Sequence, residues 1–307
     1  MPRIRLVVTG KVEEVALAPA LRQLFPEVEL ETVKKDAATT NRLERPMGTA
    51  HRDFLRLVDE MLAAGDVERV PGGEPFDHVV VVDDLELANA DQAEIVVEHM
   101  SFAVQARLAE LAAGGAVPAF PRGRNKRWKF LGDDAGRRRY LRERCSFHLL
   151  SPMVESLFFG ERSGTTWPAL GRAGAGRDPI FDPAVTDIEQ FVTTDVDYLG
   201  FVGMAGWTAG QAADPAWRAR HPKHYVSFLC DPMGRTFRPY KEKEGGKAAL
   251  EALAWPSVVG PPQHACMVRA LLADVAAMAG VDLPWLAQGT QHPLTRMRPG
   301  GVLRNIT

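Results

Sequence analysis

The most informative stretch of this chain for predicting its fold is Val79-Val80-Val81-Val82-Asp83-Asp84-Leu85-Glu86. Four consecutive valines are typical of a strand buried on both faces, as in a parallel sheet covered by helices. Carboxylates follow the strand at once, and carboxylates grouped at the end of a buried strand repel one another. Such a group commonly persists because a divalent cation or a substrate neutralises it. The alternative interpretation is a solvated acidic loop after the strand.

Strands and helices alternate around the valine run. The apolar patterns predict strands at residues 3–9, 28–33, 79–82 and 146–150, and helices at 11–25, 51–64 and about 90–113. A short helix that carries Glu155 follows the last strand. This alternation predicts an α/β fold with a mostly parallel sheet covered by helices.

The domain organisation follows from changes in composition. We expect an α/β domain at 1–160 with a basic insertion at 121–144, and a loop or linker at 161–185, which is rich in Gly and Pro. An α-rich C-terminal extension at 186–307 should pack on the first domain. Within it the sequence predicts a strand at 225–230 and helices at 246–253 and about 264–278.

Composition excludes several classes of protein. The net charge of −2 over 307 residues gives no global attraction to nucleic acid or to a membrane. Cys145, Cys230 and Cys266 stand singly, which argues against a disulfide framework and against a zinc ribbon. No apolar run approaches membrane-spanning length, and the first residues lack the long apolar region of a signal peptide. We therefore expect a cytoplasmic protein without a membrane partner.

A second acidic group follows the first strand. Gly10 is succeeded by Glu13 and Glu14, and either side chain would emerge at the same edge of a parallel sheet as Asp83, Asp84 and Glu86. Three or four pooled carboxylates are enough oxygen ligands for Mg²⁺. The alternative for Glu13 and Glu14 is a favourable interaction with the helix dipole.

Two further groups could complete such a site. Glu155 lies among apolar residues and would either join the acids or face solvent on an amphipathic helix. Lys223, like Lys241 and Lys243, could bind a phosphate or form ordinary salt bridges with neighbouring acids such as Glu242.

A basic segment with interleaved aromatic residues is typical of nucleic-acid binding, because it combines phosphate contacts with base stacking. Its candidate contact residues are Arg122, Arg124, Lys126, Arg127, Trp128, Lys129, Arg137, Arg138 and Arg139. The alternative is a solvated loop and helix face.

Several motifs resemble those of a known superfamily. Gly10-x-x-Glu13-Glu14-x-Ala16-Leu17 after a first strand is similar to the opening of Toprim-type domains. The chain resembles more closely an uncharacterised bacterial family of stand-alone Toprim-like proteins, sometimes encoded near phage-defence genes. That family is distantly related to the overcoming-lysogenization-defect (OLD) nucleases but lacks their ATPase half. The likeness continues through the acidic strand end, Phe147-His148-x6-Glu155, His221-Pro222-Lys223 and Tyr240-Lys241.

The resemblance implies a Rossmann-like sheet and a Mg²⁺- or Mn²⁺-dependent nuclease that acts on DNA or RNA. Carried over to this chain, the metal ligands would be Glu13, Asp83, Asp84 and Glu86, and the catalytic residues Glu13, Asp84, Glu155 and Lys223. The chain departs from the family at Thr9, which stands where the family has Glu. This departure favours the alternative of a catalytically inactive binding or sensing subunit. No GxxxxGK[ST] motif is present, so any ATP-driven step would need a separate partner subunit.

Overall fold

The computed structural model describes residues 1–46, 48–65, 74–114, 134–162, 167–201, 214–236, 240–286 and 301–306. Within these ranges four strands form one sheet: Arg3–Val8 (β1), Glu29–Lys34 (β2), His78–Asp84 (β3) and Cys145–Leu150 (β4). The strand order is β2-β1-β3-β4, and each neighbouring pair is parallel. The predicted α/β fold, with its Rossmann-like parallel sheet, is therefore confirmed.

Helices account for most of the remaining described chain. In the first half they are Ala18–Leu24 (α1), Arg52–Ala64 (α2), Glu86–Asn89 (α3), Ala93–Ala112 (α4) and Asp134–Arg144 (α5). In the second half they are Pro168–Ala173 (α6), Val196–Gly200 (α7), Pro215–Ala219 (α8), Pro222–Cys230 (α9), Lys247–Glu251 (α10), Trp255–Val258 (α11) and Cys266–Ala279 (α12). Two π-helical turns, Glu13–Leu17 and Glu242–Gly246, and two 3-10 helices, Val154–Phe159 and Ile188–Gln190, complete the elements.

The valine run is buried on both faces of the sheet. Val80 and Val82 belong to a core formed with α1 and with the C-terminal helices α9, α10 and α12. Val79 and Val81 belong to a second core, formed mainly with α2 and α4. Because successive side chains of a strand point to opposite faces, the same alternation decides on which side Asp83 and Asp84 emerge.

The predicted strand at 225–230 is wrong, because these residues lie in α9. Pro222 occupies the first helical turn, where its missing N–H is not needed, and the His221 side chain accepts a hydrogen bond from the His224 N–H (3.3 Å). A short apolar run does not distinguish a buried strand from a buried helix by periodicity.

The segment 161–185 is not wholly a loop. It contains α6, which begins at Pro168 and ends at Ala173, and the next residue, Gly174, adopts the left-handed conformation (φ +98°). Among the described residues, no helix is both long and apolar enough to cross a membrane.

Candidate active site

A pocket of about 270 Å³ opens at the carboxyl ends of β1 and β3. It draws side chains from four parts of the chain: the turn after β1, the end of β3, the segment after β4, and α9 with the π-helical turn that follows it. Its ionisable lining residues are Lys11, Glu13, Asp84, Glu86, Glu155, His221, Lys223, His224 and Glu242. The structure therefore brings together Glu13, Asp84, Glu86, Glu155 and Lys223, all predicted from the sequence.

Glu13 reaches the pocket because Gly10 precedes it. Its carboxylate lies over Gly10, where a Cβ would overlap with both carboxylate oxygens. Glu13 is 1% exposed, and its Oε1 has no hydrogen-bond partner within the described part of the chain. Burial raises the pKa of this carboxyl group. Glu14, the other acid considered from the sequence, instead forms an ion pair with Lys11.

Asp84 is the last residue of β3 and lies on the same face as Val80 and Val82. Its Oδ1 accepts a hydrogen bond from the Val154 N–H (3.1 Å), and its carboxyl group also hydrogen-bonds to Glu13. Burial raises the pKa of Asp84 well above its usual range, and the negative charge of Glu13 adds to the effect. Two carboxyl groups in contact must hold a proton, or a cation, between them.

Glu86 and Glu155 add carboxylates from two other elements. Glu86 has a φ of +54°, in the left-handed region that non-glycine residues rarely adopt. Such strain costs about 1–3 kcal/mol and is concentrated at functional sites. Burial raises the pKa of Glu86, and burial raises the pKa of Glu155 to about 7 although Lys223 opposes the shift. Glu155 is therefore partly protonated near neutral pH.

Lys223 supplies a positive charge among these acids. Its Nζ lies 3.9 Å from Glu155 Oε1 and 2.5 Å from Glu242 Oε1. Burial lowers the pKa of Lys223, but the two carboxylates outweigh that effect and raise it, so the side chain is charged at neutral pH. The salt bridge with Glu242 was one of the alternatives that the sequence left open.

The sequence did not identify Glu242 as part of the site. It begins the π-helical turn Glu242–Gly246, as Glu13 begins the turn Glu13–Leu17. π-helical turns are rare and often lie at functional sites, but they leave no periodic signal in a sequence.

An aromatic cluster also went unrecognised. The rings of His221 and His224 are stacked (centroids 3.8 Å apart, interplanar angle 11°), and Trp217 meets them at 4.6 and 5.2 Å. Burial lowers the pKa of His221 well below its usual range and that of His224 to about 4, so both rings are neutral at pH 7. The spacing of the two histidines, three residues apart at the start of α9, was the available signal.

Asp83 does not line this pocket. It points to the opposite face of the sheet, where its carboxylate accepts hydrogen bonds from the Thr9 hydroxyl and the Ala38 N–H (3.3 Å). Burial raises its pKa to about 7. Thr9 therefore anchors the side chain of Asp83 and does not itself line the pocket.

The described part of the basic segment lies at the other end of the sheet. Arg137, Arg138 and Arg139 are on α5, whose Tyr140 donates a hydrogen bond to the carbonyl of Phe76, just before β3 begins (3.4 Å). None of the three arginines lines the pocket, and Arg138 forms an ion pair with Asp134 (2.7 Å). The remaining candidates, Arg122, Arg124, Lys126, Arg127, Trp128 and Lys129, lie outside the described residues.

The carboxylate oxygens of the pocket suit a hard cation such as Mg²⁺. Fewer of them are placed to bind it than the sequence suggested. No three His, Cys, Asp or Glu side chains in the described ranges are arranged to hold a metal ion. Glu13 and Asp84, however, are hydrogen-bonded to each other, which brings two carboxyl groups together at the pocket. Mg²⁺ is commonly bound by one or two carboxylates, while water and substrate phosphate complete its coordination. The residues present fit that mode of binding.

Comparison of the chain with protein-family models, with curated proteins and with solved structures finds no match. The resemblance to Toprim-like proteins stays a prediction, and the function has to be inferred from the pocket.

Proposed function

We propose that this protein is a divalent-metal-dependent phosphodiester hydrolase of Toprim-like type, a nuclease that acts on DNA or RNA in the cytoplasm. The observation that carries the proposal is the convergence of Glu13, Asp84, Glu86 and Glu155 around Lys223 in one pocket. Each of these carboxyl groups has a raised pKa because it is buried. A cluster of this kind is costly to fold, which favours a function for it.

Glu13 and Asp84 would hold the metal ion, since their carboxyl groups are already in contact. When bound, Mg²⁺ or Mn²⁺ lowers the pKa of water and stabilises charge on the phosphoryl oxygens. Glu86 lines the same pocket and would act on the water molecules bound to that ion. These assignments retain two of the four metal ligands that the resemblance implies, Glu13 and Asp84. Asp83 would act only by fixing the end of β3.

Lys223 and Glu155 would act on the substrate. The Lys223 ammonium group would bind a non-bridging oxygen of the scissile phosphate and stabilise its developing charge. Glu155, with a pKa of about 7, suits a general base that takes a proton from the attacking water at Oε1. Glu242 contacts the same ammonium group, so a bound phosphate would have to displace it or share Lys223 with it.

The proposal is tested by a cleavage assay on plasmid, linear duplex, single-stranded DNA and RNA, with Mg²⁺, Mn²⁺ or EDTA. The wild type should cleave at least one substrate only when metal is present, and Asp84→Asn should abolish cleavage. Asp91→Asn is the matched control, because Asp91 is an exposed acid after α3 that does not line the pocket. Cleavage in EDTA, or full activity in Asp84→Asn, would contradict the proposal.

A second candidate is a catalytically inactive binding or sensing subunit of a phage-defence or DNA-transaction complex, working with a separate partner. Two observations favour it. Thr9 stands where the Toprim-like family that the chain resembles has Glu, and the charge of Lys223 is already neutralised by Glu242. Salt-sensitive binding of nucleic acid without cleavage in any metal would support this candidate over the nuclease.

A further inference from the structure

We infer that Trp217, His221 and His224 form a base-stacking subsite beside the acidic pocket, so that the substrate strand is unpaired next to the scissile phosphate. The inference rests on the proposed function and names its substrate class. It predicts a preference for single strands, or for strand ends and gaps, over a closed duplex.

Two of the three rings lie beside Lys223, the residue that we propose binds the phosphate. His221 and His224 flank Lys223 at the start of α9, and all three line the same pocket. A phosphate on the Lys223 ammonium group would therefore leave its own nucleotide, or the next one, within reach of the rings. The stacked histidines lead outward to Trp217, which is half-buried.

Helix capping does not account for the whole cluster. The His221 side chain caps α9, which is a sufficient structural role for that residue. Trp217 has no such role, because Asp214 already caps α8 by accepting hydrogen bonds from the N–H groups of Ala216 and Trp217 (2.9 and 3.1 Å). A half-buried tryptophan in contact with two rings that line a charged pocket is typical of a stacking platform.

The charge beside the cluster suits the same ligand. Arg220, one residue beyond α8 and three before Lys223, is exposed. It could contact a phosphate that neighbours the scissile one. Aromatic faces next to cationic groups are the combination that single-stranded nucleic acids bind. In a closed duplex the faces of the bases are covered by their neighbours, so stacking on Trp217 requires an unpaired base.

The test measures binding without cleavage, with Ca²⁺ in place of the catalytic ion. The probes are a fluorescent single-stranded DNA 12-mer, the same strand with one abasic site moved along it, and the corresponding duplex closed by a hairpin loop at each end. The proteins are the wild type, Trp217→Ala, Trp217→Phe, Lys223→Ala and a control, Trp285→Ala. Trp285 packs against the core and does not line the pocket.

Wild type should bind the single strand more tightly than the duplex and should lose about 5- to 150-fold in affinity when the abasic site reaches one position. Trp217→Ala should show a similar loss on the intact strand and no further loss on the abasic one, because the two changes remove the same contact. Trp217→Phe should keep most of the affinity, and Trp285→Ala all of it. Thermal unfolding shows whether each variant is folded.

Two outcomes separate the inference from the proposed function. Wild-type binding that depends on Lys223 but is indifferent to Trp217 and to every abasic position would overturn the inference and leave the phosphodiesterase proposal intact. Failure of the wild type to bind any strand, or binding unaffected by Lys223→Ala, would overturn both.

Discussion

Gly10→Ala is the substitution that most selectively disturbs the proposed catalytic centre. The new methyl group would occupy the space of the Glu13 carboxylate, whose nearest oxygen lies 2.1 Å from the built Cβ and has to retreat by more than 1 Å to reach an ordinary van der Waals distance. A displacement of that size at a catalytic group costs on the order of 100-fold in rate. We therefore expect cleavage to fall by about that factor.

The fold should survive this change. Gly10 does not have a positive φ, so alanine fits its backbone and reduces the entropy of the unfolded chain, which is worth about 0.4–1 kcal/mol. The carboxylate that moves is the flexible end of a side chain. It gives up its hydrogen bond with Asp84, a loss about as large as that gain, while its Oε1 has no partner in the described structure to lose. The melting temperature should accordingly stay the same or rise slightly.

The assay compares initial cleavage rates and thermal unfolding of wild type, Gly10→Ala and Gly171→Ala. Gly171 is the matched control, because a Cβ built there meets no atom within 4 Å and the residue does not line the pocket. Wild-type activity in Gly10→Ala would refute the role given to Glu13. Loss of activity together with a large fall in melting temperature would instead show that Gly10 is needed for folding.

Three more predictions concern the buried acids. Mg²⁺ or Mn²⁺ at 100 times its Kd and pH 8 should stabilise the wild type by about 2.7 kcal/mol, which corresponds to a rise of about 5 °C in melting temperature. Asp84→Asn should lose this shift, and an equal shift in both proteins would place the ion elsewhere. Burial raises the pKa of Glu155 from 4.5 to about 7, so the folded state binds its proton more tightly, and stability is lost as pH rises through that range. In EDTA, Glu155→Gln should therefore gain about 3 kcal/mol relative to wild type between pH 4 and pH 8 in chemical denaturation, and a constant difference would contradict the burial argument. Asp83→Asn should keep most of the cleavage activity that Asp84→Asn loses. It should be no less stable than wild type at pH 8, because it removes a buried charge and its amide oxygen can still accept the Ala38 N–H; equal loss of activity in the two variants would show that Asp83 belongs to the site.

The valine run and the acids after it were sufficient to predict the sheet and the part of the chain that carries the site. The sequence assigned both Asp83 and Asp84 to one metal centre, although the alternation of side chains along a strand separates them. Val80 and Val82 share a face with Asp84, so the alternation along the strand was enough to predict that Asp83 points to the other face.

Other parts of the site depend on tertiary contacts that leave no local signal. Glu242 enters the pocket through a π-helical turn some 20 residues beyond Lys223, and the closeness of the two charges follows only from the packing of that turn. The run at 225–230 looked like a strand because it is short and apolar, although Pro222, Tyr225, Val226 and Leu229, buried residues of the whole helix, recur at helical spacing. By contrast, the position of the basic helix α5 at the amino end of the strands could have been predicted, because α5 leads directly into β4.

The most direct test of the account is the location of a bound ion. Crystals soaked in Mn²⁺ at pH 8, where the carboxyl groups more readily lose their protons, should give an anomalous difference peak at bonding distance from one oxygen of Glu13 and one of Asp84. Water should complete its coordination, and Asp83 should not be a ligand. Absence of a peak at saturating Mn²⁺, or a peak that contacts neither Glu13 nor Asp84, would contradict the proposed catalytic centre.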